Sequence, residues 1–307
     1  MPNPQISAVD YNSIRNKIVS VLGSGTGSSG YGQSVTSSAV SQGEIISKIQ
    51  WDNLADDLRS IKMHQDGTEP VLTTILPLDI IQQGITFPYT SYDTVIDAAT
   101  VTKFNFGTTQ SVITAKPGIS RTGSWGSQSY CEITVTFGSA NEARYFFNSG
   151  GKIRVSSTRT GGASTPQNNS WTNLLNTIGI QSFGANTPGA ATFYSLTNAY
   201  QTFYQQSSTS SYSSNNYQLQ AKCNVTNNVG GTATVVYIKV IWNDAYVDPD
   251  TLNPDYPGGV SVHPPGDTVD GTLAVIVEEL KAAGSLYPVG TFTIISPSFA
   301  ISAITAT

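Results

Sequence analysis

The chain has 307 residues, a formal net charge of −5, and only 11% charged residues, against about 25% in a typical soluble domain. That length buries a sizeable core in one large or two ordinary domains. The mild acidity argues against a basic nucleic-acid or acidic-lipid-binding surface, and the 38% apolar content argues against general disorder. Ser, Thr, Asn and Gln stand in for the missing charges, which suits a surface packed against other protein. There is no apolar run of about 18 residues, so no membrane span is expected. The start, "MPNPQISAVDYNSIRNK", lacks a basic head followed by an apolar stretch, so no secretory signal is expected.

The first predicted helix, in "VDYNSIRNKIVSVLG", sets Tyr11, Ile14, Ile18 and Val21 at 3-4-3 spacing, with Gly23 as its stop. A Gly/Ser-rich connection follows. The second helix opens on overlapping capping boxes, Ser41 with Glu44 and Ser47 with Gln50. It then places Trp51, Leu54, Leu58 and Ile61 at the same spacing. Residues 1–66 therefore read as a short N-terminal two-helix module. Its two seams either close on each other and the following domain, or meet seams of other subunits as an anchoring and oligomerisation module. In the second case these eight apolar residues are the oligomerisation residues, and the Gly/Ser connection is a flexible joint.

From about residue 85 the period becomes alternating, and the expected fold class is mainly β, an antiparallel β-sandwich body over 67–246. Strand candidates are "TVTKFNFG", "SYCEITVTFG", "ARYFFN", "GKIRVSS", "YQLQAKCNVTNN" and "ATVVYIKVIWND", followed by "GTLAVIVEELKA" and "GTFTIISPSFAISAIT". A helix interrupts them at "NNSWTNLLNTIG", where Trp171, Leu174, Leu175 and Ile178 recur at helical spacing. In "ARYFFNSGGKIRVSSTRTGG" the paired glycines precede Lys152, but Ile153 follows it where a phosphate-binding loop needs Ser or Thr. The expectation there is a hairpin, with "RYFFN" running in, Ile153 and Val155 facing inward on the return, and Arg144, Lys152 and Arg154 on the sheet surface. Residues 247–307 read as a proline-rich crossing and a separate C-terminal two-strand unit.

Candidates for chemistry are few. His64 lies at a helix end, where it meets terminal carbonyls, and His263 lies in a turn; neither adjoins a second metal ligand. Asp244, Asp248, Asp250 and Asp255, or Glu278 and Glu279, could supply a carboxylate pair, and the Asp cluster could hold calcium but lacks the order of an EF-hand loop; acidic turn residues account for the cluster more simply. Cys131 and Cys223 lie in strands and are expected as buried free thiols, with a pairing left open. No catalytic, metal or cofactor-binding residue is assigned, and no cofactor is expected. The stretch 193–220 is dense in Tyr, Ser, Asn and Gln, like the loops of binding proteins. Tyr200, Tyr204, Tyr212 and Tyr217 are its candidate ligand contacts, weighed against ordinary packing.

The segments "SAVDYNSIRNKIVSVLG", "YGQSV", "ISKIQWDNLADDLRSIKMHQDG", "RYFFNSGGKIR" and "NDAYVD…PPGDTVDGTLAVIVEELKAAG" carry a resemblance over nearly the whole chain. In this order they resemble virion structural proteins of tailed bacteriophages, most of all those of marine contractile-tailed phages of cyanobacteria. The resemblance implies a non-enzymatic, homo-oligomeric neck or tail component, fibre-like in kind, made in the host cytoplasm and built into the virion. Its implied partners are copies of itself and other virion proteins. A receptor-binding or lectin-like module contacting a host surface glycan is the alternative; nucleic acid is not an expected partner.

Overall fold

The structure, a computed structural model, describes residues 6–72, 88–187, 191–246 and 268–306. Three helices form an N-terminal layer: α1 (Ala8–Leu22), α2 (Lys48–Asp66) and α3 (Pro88–Val101). Ser7 and Ser47 start the first two through reciprocal capping boxes with Asp10 and Gln50, and Gly67 ends α2 in the left-handed region. Ser41 and Glu44 cap only a turn. The third helix is not among the predicted ones, although Tyr92, Ile96 and Ala99 recur along it and are buried.

The two seams close within one chain. Tyr11 meets Trp51 edge-on at 5.3 Å, Trp51 meets Tyr92 at 5.6 Å, and the Tyr11 hydroxyl donates to the Gln50 carbonyl at 3.0 Å. Lys17 bridges α1 to Asp93 and Asp97 of α3. All eight residues proposed as an intersubunit seam are buried here, so the expectation that they meet other subunits is corrected: α1, α2 and α3 cover one another. Both α1 and α2 begin at the same end of the layer.

The Gly/Ser-rich connection is likewise not a loose joint. Arg144 donates to the carbonyls of Ser24, Gly27 and Ser29, and Asn148 to those of Gly27, Ser29 and Gly30. The Tyr194 hydroxyl adds a further donor to Gly27. The loop's carbonyls solvate a buried guanidinium, which is why a stretch without apolar periodicity still holds one conformation.

The body is an antiparallel sandwich. One sheet runs β1 (Ser111–Thr122), β8 (Thr272–Ala282), β3 (Lys152–Thr160), β4 (Gln181–Phe183). The other runs β11 (Ser298–Ile301), β2 (Gln128–Thr136), β7 (Val235–Asn243), β6 (Asn216–Cys223), β5 (Gln201–Ser207), with β12 (Thr305–Ala306) also on β2. Alternation decides the inner faces: Ile153 and Val155, Val275 and Val277, Ile133 and Val135, and Val236, Ile238 and Val240 are all buried. Across the core, Ser157 and Tyr217 share a hydrogen bond of 3.1 Å, and the Phe183 and Phe203 rings lie 5.2 Å apart. Helix α5 (Pro166–Ile178) supports this core with Trp171, Leu174, Leu175 and Ile178 buried, as expected.

Several expectations are corrected. "RYFFN" is not the first arm of a hairpin but helix α4 (Ala140–Asn148), capped by Ser139, whose hydroxyl accepts from the Glu142 amide. Ala143, Phe146 and Phe147 face the core at helical spacing, and the Ser139/Glu142 pair is a capping signal visible in the sequence. Gly150 then turns the chain at φ 89°, where an added Cβ would strike the Phe106 ring. Arg144 is buried, not on a sheet surface, whereas Lys152 and Arg154 are half-exposed, and Arg154 pairs with Glu278. "TVTKFNFG" is the end of α3 and a turn; the strand lies later, at β1, where Pro117 and Gly118 sit at a shift in register that disguises its period. The C-terminal strands are not a separate unit: β8 lies between β1 and β3, and β11 pairs with β2. The crossing at 247–267 lies outside the described residues.

His64 welds the helical layer to the body. Its ring stacks on Phe292 of β10 (Thr291–Phe292) at 4.1 Å, meets Tyr31 edge-on, and its Nε2 lies 3.1 Å from the Ser149 carbonyl at the end of α4. The carbonyl it meets closes α4 and not its own helix α2, so the expected contact with the terminal carbonyls of its own helix is replaced by one between helices. Burial lowers its pKa from 6.5 to about 4. The unfolded imidazole takes its proton near 6.5 and the folded one only near 4, so stability is level above pH 6.5 and declines as pH falls between these values. The decline attributable to His64 is expected to reach roughly 3 kcal/mol by pH 4. In urea titrations across this range, His64→Gln, which keeps a donor for Ser149, is expected to remove that share of the slope.

Candidate binding surfaces

The four tyrosines proposed as ligand contacts separate once the chain folds. Tyr217 is buried between the sheets and bonded to Ser157; burial raises its pKa. Tyr204 is half-buried, with its ring 6.5 Å from that of Tyr217 and its hydroxyl on Gln206, so it too serves packing. Tyr212 and Tyr200 remain half-exposed, at different places.

Tyr212 stands at the rim of a groove of about 280 Å³ between α5 and the turn joining β5 to β6. Asn169, Ser170, Asn173, Gln206 and Ser208 line it with amide and hydroxyl groups, and Leu174 adds an apolar wall. Ser170 and Ser208 hydrogen-bond across it at 2.6 Å, which fixes its two sides. The Tyr212 ring leans on Tyr246 at 4.5 Å. Such a groove can exchange hydrogen bonds with a hydroxyl-rich ligand; it holds no acid or base placed for catalysis among the described residues.

Tyr200 belongs to an alternating ladder on the outer face of the sheet that contains β2, β6 and β7. The Lys239 ammonium lies 4.5 Å from the Tyr130 ring centre and 5.7 Å from that of Tyr200. The Lys222 ammonium lies 4.4 Å from Tyr200 and 4.9 Å from Tyr237. The order across the face is Tyr130, Lys239, Tyr200, Lys222, Tyr237. The Tyr200 hydroxyl donates to Glu132, and burial, then this carboxylate, raises its pKa. Of these residues only Tyr200 is a candidate on sequence grounds. The other rings and both lysines sit at outward positions of ordinary alternating strands, and their convergence depends on register, which pairs Lys222 with Tyr237 and Glu132 with Lys239.

Compared with known protein families, characterised proteins and solved structures, the chain has no match.

The remaining candidates resolve into structural roles. Asp244 is buried, and its carboxylate accepts from Gln167 at 2.7 Å, Trp171 at 2.9 Å and Asn215 at 2.5 Å, tying α5 to the end of β7 and the turn before β6. Its expected companions Asp248, Asp250 and Asp255, like His263, lie outside the described residues. No group of three metal-ligating side chains occurs among the described residues, and no described helix is long and apolar enough to cross a membrane. Cys131 on β2 and Cys223 on β6 are buried free thiols, and burial pushes Cys131 up to about 12.

Proposed function

We propose that this chain is a non-enzymatic structural protein of a tailed-phage virion that assembles with copies of itself in a neck or tail appendage. The sequence resemblance motivates the reading. The observation that carries it is a set of aliphatic side chains left in water where α1 and α2 begin: Val9 is 73% exposed, Ile45 91% and Ile49 70%. Three exposed aliphatics at one end of a rigid helical layer suit a contact with another subunit. The assembly surface is therefore assigned to this end and not to the buried seams.

Light scattering coupled to size-exclusion chromatography tests the reading on full-length protein. The expected result is an oligomer that becomes a folded monomer in the Ile45→Asp/Ile49→Asp variant. A wild-type monomer, or an oligomer whose mass the double substitution leaves unchanged, would overturn it. The groove beside Tyr212 favours a second reading, a receptor-binding or lectin-like module. Under that reading Tyr212→Ala is expected to weaken binding of a neutral oligosaccharide such as maltotetraose about tenfold, measured by calorimetry.

A further inference from the structure

We infer that the outer face of the sheet formed by β2, β7, β6 and β5 binds an acidic saccharide through the ladder of Tyr130, Lys239, Tyr200, Lys222 and Tyr237. The ladder is unusual in its charge balance. Among the described residues neither lysine has a carboxylate within ion-pair distance. Each ammonium instead lies against the rings of two tyrosines. Ring quadrupoles orient a cation without neutralising it, so the donors of Lys222 and Lys239 keep the capacity to receive an anion. Glu132, the acid nearest the ladder, is engaged by the Tyr200 hydroxyl. In a chain of net charge −5, two cations held side by side with one acid give this face the opposite sign from the molecule as a whole.

The surroundings select a saccharide over an acidic peptide. Beside the ladder, on the same face, Gln218 donates to Gln205 at 2.8 Å, and Gln220 donates to Gln218 at 3.0 Å. These linked amides retain free donor and acceptor positions, the mixture that sugar hydroxyls require. Four of the five rungs lie on the paired interior strands β2, β7 and β6, and Tyr200 just precedes the edge strand β5, so both lysines stand where the backbone is already paired and strand addition, a usual mode of holding peptides, does not reach them. Carboxylate or sulfate groups of the ligand would meet the two ammonium groups, and its hydroxyls would meet the glutamines and tyrosine hydroxyls.

This inference shares its general ligand class with the lectin-like reading but stands on different residues, so the two fail separately. The test is calorimetric titration of full-length protein, at low and at physiological salt, with tetragalacturonate and with a sulfated carrageenan oligosaccharide; maltotetraose is the neutral control. At least one acidic probe is expected to bind, to weaken with salt, and to exceed maltotetraose by about tenfold. Lys222→Gln/Lys239→Gln is expected to reduce that binding about tenfold while the circular dichroism and melting curve stay near wild type. Tyr212→Ala is expected to leave it unchanged. Failure of both acidic probes to bind, or equal binding by the double-lysine variant, would overturn the inference. Loss of acidic-probe binding in Tyr212→Ala alone would also overturn it, while favouring the groove.

Discussion

Leu54→Asp is expected to melt the helical layer and not merely to dissociate subunits. Leu54 is fully buried in α2, which packs against both α1 and α3 within one chain. A carboxylate there has no described donor to receive it, and the expected loss is at least about 4 kcal/mol. At about 2–4 °C per kcal/mol for a chain of this class, the thermal midpoint should drop by roughly 10 °C or more, with some of the helical signal lost. The damage should spread, because α2 also carries His64 into its contacts with Ser149 and Phe292, and Ser60 into bonds with Tyr287. Circular dichroism and light scattering on the same sample separate the possibilities. A monomeric Leu54→Asp protein with wild-type helicity and midpoint would show that the seam lies between subunits after all. The Ile45→Asp/Ile49→Asp pair should behave in the opposite way, changing mass and sparing stability.

The second large effect concerns Lys116 and Glu279. Glu279 lies on the inward face of β8 with 0% exposure, and its carboxylate meets the Lys116 ammonium of β1 at 2.5 Å. Lys116 in turn covers the Phe299 ring of β11, so this pair sits where the edges of the two sheets approach. Oε1 of Glu279 has no hydrogen-bond donor, so the lysine is its main compensation. Lys116→Met is therefore expected to destabilise the protein by about 3–5 kcal/mol, because it strands a buried charge. Lys116→Met/Glu279→Leu should recover most of that loss, since two apolar side chains need no such compensation. Urea unfolding of the wild type, both single variants and the double variant closes the cycle. Near-additive losses would mean that the two side chains do not act as a pair.

What could be read from the sequence was what depends on local periodicity. The 3-4-3 spacing of Tyr11, Ile14, Ile18 and Val21, and of Trp51, Leu54, Leu58 and Ile61, identified two helices and their buried stripes. Alternation along "SYCEITVTFG" and "ATVVYIKVIWND" identified strands and their inward residues. Trp171, Leu174, Leu175 and Ile178 marked α5 in the same manner. The misreadings fall where a local signal was mixed. "RYFFN" is short enough to suit either period, and its Ser139 cap had to decide; Pro117 and Gly118 broke the alternation of β1.

Periodicity names the face that must be covered and is silent about what covers it. That is why the seams of α1 and α2 read equally well as subunit contacts until α3 and α2 were seen to fill the space beside α1. The same limit hid the Tyr130–Lys239–Tyr200–Lys222–Tyr237 ladder, whose members come from three strands and the approach to a fourth. Their meeting depends on antiparallel register, and a slip of one residue would turn Lys222 and Lys239 to the opposite face. Composition and local pattern thus determined the elements and the inward side chains of this protein. Strand order and register, set by burial summed over distant segments, decided which polar side chains stand together on its surface.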